Sequence, residues 1–178
     1  MKTVKLSLET HMWYRKPIKN PYIMLYCLFD MVHPPELKKY LLELMFHTHK
    51  SKIYQKKSPH IVLLIYSLLR SIIRGSYKIL SNSKKYYTIS PIDKSEVSKL
   101  MTFLGSLSYN EYINPYLVFE DIFAKQTVVE LEIDLFEITQ FALGSFIEPP
   151  SVEISTSFIN INKLIEACWL LYQREEEL

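Results

Sequence analysis

Glycine is nearly missing from this chain: 3 residues in 178, where an average protein carries about 7%. That excludes the glycine-rich loops which cradle phosphates, and neither G-x-G-x-x-G nor G-x-x-x-x-G-K-[ST] occurs. Cysteine is scarce as well. The only two, Cys27 and Cys168, have no motif spacing, which rules out a disulfide framework and a cysteine zinc site. Each lies in an apolar helical run and reads as a reduced core thiol. Long apolar runs are also lacking. The longest, IVLLIYSLL (61–69) and YIMLYCLF (22–29), fall short of the roughly 20 residues that span a bilayer. The first residues, MKTVKLSLETHMWYRK, lack the apolar centre of a signal peptide. These absences predict a cytoplasmic protein.

Metal-ligand spacing is missing too, despite a suggestive stretch. Residues 47–60, HTHKSKIYQKKSPH, hold three of the five histidines and four lysines. On a helix, His47 and His49 diverge by roughly 200° and cannot share a metal. The preceding Leu37, Tyr40, Leu41, Leu44 and Thr48 follow a helical period. The stretch therefore reads as a helix end, where cations are favoured, then a basic loop with Lys52, Lys56 and Lys57, then a helix start at Pro59.

What is present points to helices. A chain of 178 residues suits a single domain, and a chain this long buries about 70% of its unfolded surface. Proline after a polar cap marks helix starts at Asn20-Pro21, Ser58-Pro59 and Asn114-Pro115, and more loosely at His33-Pro34-Pro35. Asp93 with Glu96, and Thr127 with Glu130, have capping-box spacing. The predicted helices are 21–32, 35–50, 59–80, 94–107, 115–125, 128–144 and 162–175. Residues 84–92 and 148–158 read as extended, the latter from two prolines followed by alternating Val152 and Ile154. The expected fold is all-α, or mainly so: a single helical domain over 1–178, a bundle of about seven helices. At most a minor short-strand element falls near 84–92 or 148–158, and a sub-lobe divide falls at 81–92.

Charge is unevenly placed. Residues 1–99 hold 18 Lys+Arg against 6 Asp+Glu, a surplus of +12, and residues 100–178 hold 3 against 13, or −10. The helix 59–80 concentrates this. Its polar residues His60, Ser67, Arg70, Ser71, Arg74 and Lys78 fall within an arc of about 100° on an otherwise apolar surface. Three cations at spacing four repel one another and need anions. Helix 128–144 offers Glu130, Asp134 and Glu137 on one stripe, with Glu132 apart from them, so packing the two helices together would answer the charge within the chain. Alternatively, Arg70, Arg74 and Lys78 join Lys50, Lys52, Lys56, Lys57, Lys84 and Lys85 in a polyanion-binding face. Tyr86 and Tyr87 would then be available for stacking on bases. No helix-turn-helix, zinc-finger or RNA-binding signature accompanies it.

No catalytic constellation emerges. Ser67 and Ser71 lie on a helix, and neither cysteine has a neighbour that would lower its pKa. Glu120 and Asp121 diverge on a helix, and the Arg-to-His spacing of some helical ribonucleases is absent. Glu175, Glu176 and Glu177 read as a solvated tail. Helix 21–32, preceded by Arg15, Lys16 and Lys19, suits burial better than a membrane interface, because Asp30 lies within it and it has no basic face. Tyr109, Tyr112 and Tyr116 are candidate protein-contact residues. The expectation is a non-catalytic binding protein of regulatory or adaptor type, without cofactor or metal, contacting a protein partner or itself. A nucleic-acid binder is the alternative and a helical enzyme the third reading.

Overall fold

Two of the N-cap side chains act where the sequence places them, while Ser58 begins its helix without a side-chain cap bond. Asn20 Oδ1 accepts from Tyr22 N at 2.9 Å, with Pro21 as the first helical residue, and Thr127 and Glu130 close a reciprocal capping box. In this computed structural model the residues described are 6–48, 50, 53–55, 58–88, 105–144, 146 and 154–176. They form a 3-10 turn at Thr10–Met12 and eight helices: α1 (Pro21–Met31), α2 (Pro34–Thr48), α3 (Pro59–Ser81), α4 (Ser83–Tyr86), α5 (Tyr109–Ile113), α6 (Tyr116–Lys125), α7 (Val128–Leu143) and α8 (Ile154–Glu176). No strand occurs among the described residues, and the fold is all-helical.

Differences from the sequence reading concentrate at helix ends. Residues 154–158, expected to be extended, open α8. The buried positions Ile154, Ser157 and Ile161 follow a helical period that overrides the Val152–Ile154 alternation. Residues 84–86, also expected to be extended, complete the short helix α4. The predicted helix 94–107 lies mainly outside the described residues, and its last three residues form a turn. The Asp93–Glu96 box, residues 89–92 and residues 148–153 also lie outside them. The predicted helices leave out α5, although its signal is present. Ser108 caps it with a full capping box closed by Glu111, the same S-x-x-E signal that marks other starts.

Helices α3 and α8 form the centre. α3 packs against α1, α6, α7 and α8, while α8 also meets α1, α2, α6 and α7. One cluster of buried apolar side chains runs from Leu8 to Leu171, with Leu69, Ile72 and Ile73 of α3 against Ile161, Leu164, Ile165 and Cys168 of α8. Each fully buried Leu, Ile or Phe contributes about 1.5–3 kcal/mol relative to exposure. α1 and α3 cross at Gly75, where an added Cβ would collide with Cε of the buried Met24. The missing side chain leaves room there for the end of Met24. A smaller cluster of Leu44, Tyr54, Val62, Ile138, Ala142 and Ile154 closes the other end.

Polar side chains of α8 hold the segments around it. Glu166 is buried, pairs with Lys38 of α2 and accepts from Ser106 N at 3.2 Å. Lys163 Nζ meets Glu111 Oε1 at 2.7 Å. The buried Arg174 donates to the carbonyls of Ile113 and Tyr112, capping α5. The Arg174 bonds satisfy carbonyls that a helix end leaves open.

Candidate functional site

The basic stripe of α3 meets its anion inside the molecule. Arg74 forms a fork with Glu132 of α7: its Nη2 donates to Oε2 at 2.9 Å and its Nε pairs with Oε1. Its Nη1 reaches Glu9 Oε1 at 3.0 Å and the Ser7 carbonyl at 3.1 Å. Arg70 Nε lies 3.2 Å from Glu132 Oε1. Burial pulls the Glu132 carboxyl upward, but hydrogen bonds and charge from Arg74 and Arg70 outweigh it and hold the group below the usual carboxylate range. Lys78 Nζ donates to the Lys19 carbonyl at 2.8 Å.

The carboxylate is not one of the three the sequence grouped together. Glu130 is used in the helix cap. The buried Asp134 accepts from Gln126 Nε2 at 2.7 Å and from Ser157. Glu137 keeps a buried Oε2 with no hydrogen bond among the described residues. The reason is the roll of α7. It turns Leu131, Leu135, Ile138 and Asp134 into the interior, with Asp134 facing Ser157 of α8, and this leaves Glu132 on the edge beside α3.

The other positive candidates among the described residues lie apart from this stripe. Lys84 and Lys85 are exposed on α4, with Lys85 Nζ 5.2 Å from the Tyr86 ring. Lys50 lies 5.7 Å from the Phe46 ring past the end of α2. Lys52, Lys56 and Lys57 fall outside the described residues. His47 Nδ1 bonds the Glu43 carbonyl at 2.7 Å, and its ring meets Tyr54 edge-on at 5.0 Å. Tyr54 N donates to the Ala142 carbonyl at 2.8 Å, pinning this segment to the end of α7. His60 pairs with Ser58 Oγ at 2.7 Å. Among the described residues no group of three or more His, Cys, Asp or Glu side chains is placed to hold a metal.

Two of the three candidate contact tyrosines are interior. Tyr112 is 4% exposed and Tyr116 is 3% exposed. The Tyr116 hydroxyl bonds that of Tyr22 at 2.8 Å, and its ring stacks on Tyr87 at 3.9 Å. Tyr109 alone reaches the surface.

What the surface does offer is apolar. On α7, Val129 (64% exposed), Ile133 and Phe136 (52%) stand out from the protein. Their spacing of four and three places them on one face. α3 continues the patch with exposed Leu63 and half-buried Tyr66, whose ring meets Phe136 edge-on at 6.3 Å. A second apolar groove, of about 380 Å³, runs between α2 and α8 over Pro35, Leu42, Phe158 and Ile159, with Lys38 and Lys39 on its wall. Among the described residues no helix is long and apolar enough to cross a membrane. No protein-family model, no curated protein and no solved structure matches this chain.

Proposed function

We propose that this chain is a non-catalytic, cytoplasmic binding protein of regulatory or adaptor type, acting through protein–protein contacts, and that its α3–α7 face joins a second copy of the chain. The observation that carries the reading is the exposed apolar row Val129, Ile133 and Phe136, extended by Leu63 and Tyr66. A grouped apolar surface of this kind marks an association site, whereas scattered apolar residues would not. The row is nearly symmetric about Ile133. Across a twofold axis there, antiparallel α7 helices set Val129 of each copy against Phe136 of the other, so the patch complements itself. A net charge of +2 puts little repulsion between copies. The free thiols of Cys27 and Cys168 suit a reducing compartment.

Sedimentation velocity across roughly 1–100 µM, the range of ordinary reversible association, tests the proposal. The wild type should shift toward dimer as concentration rises. Ile133→Glu and Phe136→Glu should remain monomeric with an unchanged helical spectrum, since both side chains already face solvent. A wild type that is monomeric throughout would overturn it. The polyanion reading loses its centre, because Arg70 and Arg74 already share Glu132. Labelled DNA and RNA should therefore show no salt-sensitive binding at micromolar protein. Binding abolished by Lys84→Glu with Lys85→Glu would replace the protein-contact reading.

A further inference from the structure

Between the start of α1 and the end of α8 lies a pocket of about 290 Å³ lined by Tyr22, Ile23, Tyr26, Tyr172 and Glu175. Three phenol rings and one carboxylate supply most of its chemistry. The Tyr26 and Tyr172 rings are 6.0 Å apart and tilted by 53°, forming a corner rather than a stack. Two walls are fixed by neighbours. Tyr22 is buried and its hydroxyl bonds the Tyr116 hydroxyl and the Tyr86 carbonyl. Tyr172 lies 5.0 Å from Trp169 and 5.7 Å from Phe29, ring to ring. Tyr26 and Ile23 remain exposed at the mouth.

Glu175 lines this pocket and is exposed to solvent. It has no hydrogen bond or ion pair among the described residues, and the neighbouring cation, Arg174, is committed to the Ile113 and Tyr112 carbonyls. It also sits in the last turn of α8, the negative end of the helix, where a carboxylate is disfavoured unless a cation offsets it. Crowding by its surroundings pushes its carboxyl above the usual range. The pocket thus gathers phenol rings, a solvent-exposed carboxylate with no ion pair among the described residues and a helix C-terminus in one small space. Each favours positive charge. A hard metal ion would need six or more oxygen ligands, and the lining offers one carboxylate.

We propose that this pocket binds an organic cation of the quaternary or alkylated ammonium class, either as a free small molecule or as the head of a modified lysine side chain. Its apolar methyl groups would contact the rings while its diffuse charge faces Glu175. The site goes beyond self-association and uses different helices, so the two proposals stand or fall separately.

Trp169, whose ring lies 5.0 Å from that of Tyr172, makes intrinsic fluorescence a reporter, and calorimetry gives an independent reading. Three probes suffice: tetramethylammonium, a peptide carrying trimethyllysine, and 2,2-dimethylpropanol as a neutral analogue of similar shape. Saturable binding of a cation, with the neutral analogue at least about tenfold weaker, is expected, since desolvated cation–ring contacts discriminate by this order. Tyr26→Leu and Glu175→Gln should each weaken the cation roughly five- to tenfold while leaving the unfolding midpoint unchanged. Tighter binding of the peptide identifies a side-chain ligand, and equal binding identifies a free cation. Absence of saturable binding by both cations would overturn the proposal. Equal affinity for the neutral analogue, or variants that bind as well as wild type, would do the same.

Discussion

Glu132 is the residue on which the opposed charges of the chain converge. It accepts from Arg70 and Arg74 while Arg74 also reaches Glu9. Replacing it leaves two partly buried guanidinium groups short of an anion, so Glu132→Gln should cost about 2–3 kcal/mol in a urea titration. The Arg74→Lys variant should lose part of the same amount, because an ammonium cannot form the fork. The Glu132 carboxyl is depressed in the folded state, as is that of Glu111, where burial opposes the shift and Lys163 with the Ser108 backbone prevails. A depressed carboxyl contributes stability above its unfolded pKa and loses it as pH falls through the folded value. Stability should therefore hold near neutrality and decline below the ordinary value of 4.5. Denaturation midpoints from pH 7 to pH 3 check this, and Glu132→Gln should flatten the decline. The thiols differ as well. Burial pushes Cys168 up to about 12, and its Sγ lies 3.2 Å from Ser76 Oγ, while Cys27 is half-buried. A disulfide reagent at pH 8 should modify Cys27 in the native protein and Cys168 only after unfolding.

At the scale of elements, caps and crossings decide. Thr127→Ala removes the acceptor of one capping box and should cost about 1 kcal/mol, read as a lowered thermal midpoint. Gly75 tests the α1–α3 crossing. Gly75→Ala gains about 1 kcal/mol of helix propensity and displaces only the flexible end of Met24, so it should be close to neutral. Gly75→Leu has no such outlet and should cost about 2–3 kcal/mol by overpacking. These same local signals made the helices legible from the sequence. Asn20-Pro21, Ser58-Pro59 and the Thr127–Glu130 pair name their helices before any contact is known. The start of α8 was not legible, because Ile154 and Ser157 are helical through contacts with α2, α3 and α7. The tyrosine-lined pocket between α1 and α8 left a faint trace, Tyr22, Tyr26 and Phe29 on one face of α1 with Trp169 and Tyr172 one turn apart. Only packing brings those two rows together.

Across the whole molecule, the positive first half and negative second half meet through particular pairs: Arg70 and Arg74 with Glu132, and Lys38 with Glu166. The sequence foresaw charge answered between α3 and α7 but named the wrong carboxylates. Projection of one helix fixes relative angles only, and the absolute roll follows from which face the neighbours bury. Buried side chains from Leu8 to Leu171 share one cluster, so unfolding should be a single transition, coincident by circular dichroism and by tryptophan fluorescence. Trp13 and Trp169 sit in different halves, which makes the fluorescence arm sensitive to any separation.

Ser71 deserves its own consequence. Its hydroxyl donates to the Leu8 carbonyl at 2.8 Å and accepts from the Trp13 indole at 2.8 Å, so one small group on α3 stitches down the leading strap of the chain. That strap is otherwise held by the buried Leu8 and Thr10, by Trp13 and Ile18 against the core, and by Arg74 on Ser7 and Glu9 and Lys78 on the Lys19 carbonyl, fewer ties than hold a core helix. Removing the hydroxyl should let it peel away as an independent opening unit, with amides around residues 8–18 losing exchange protection long before those of α3 or α8.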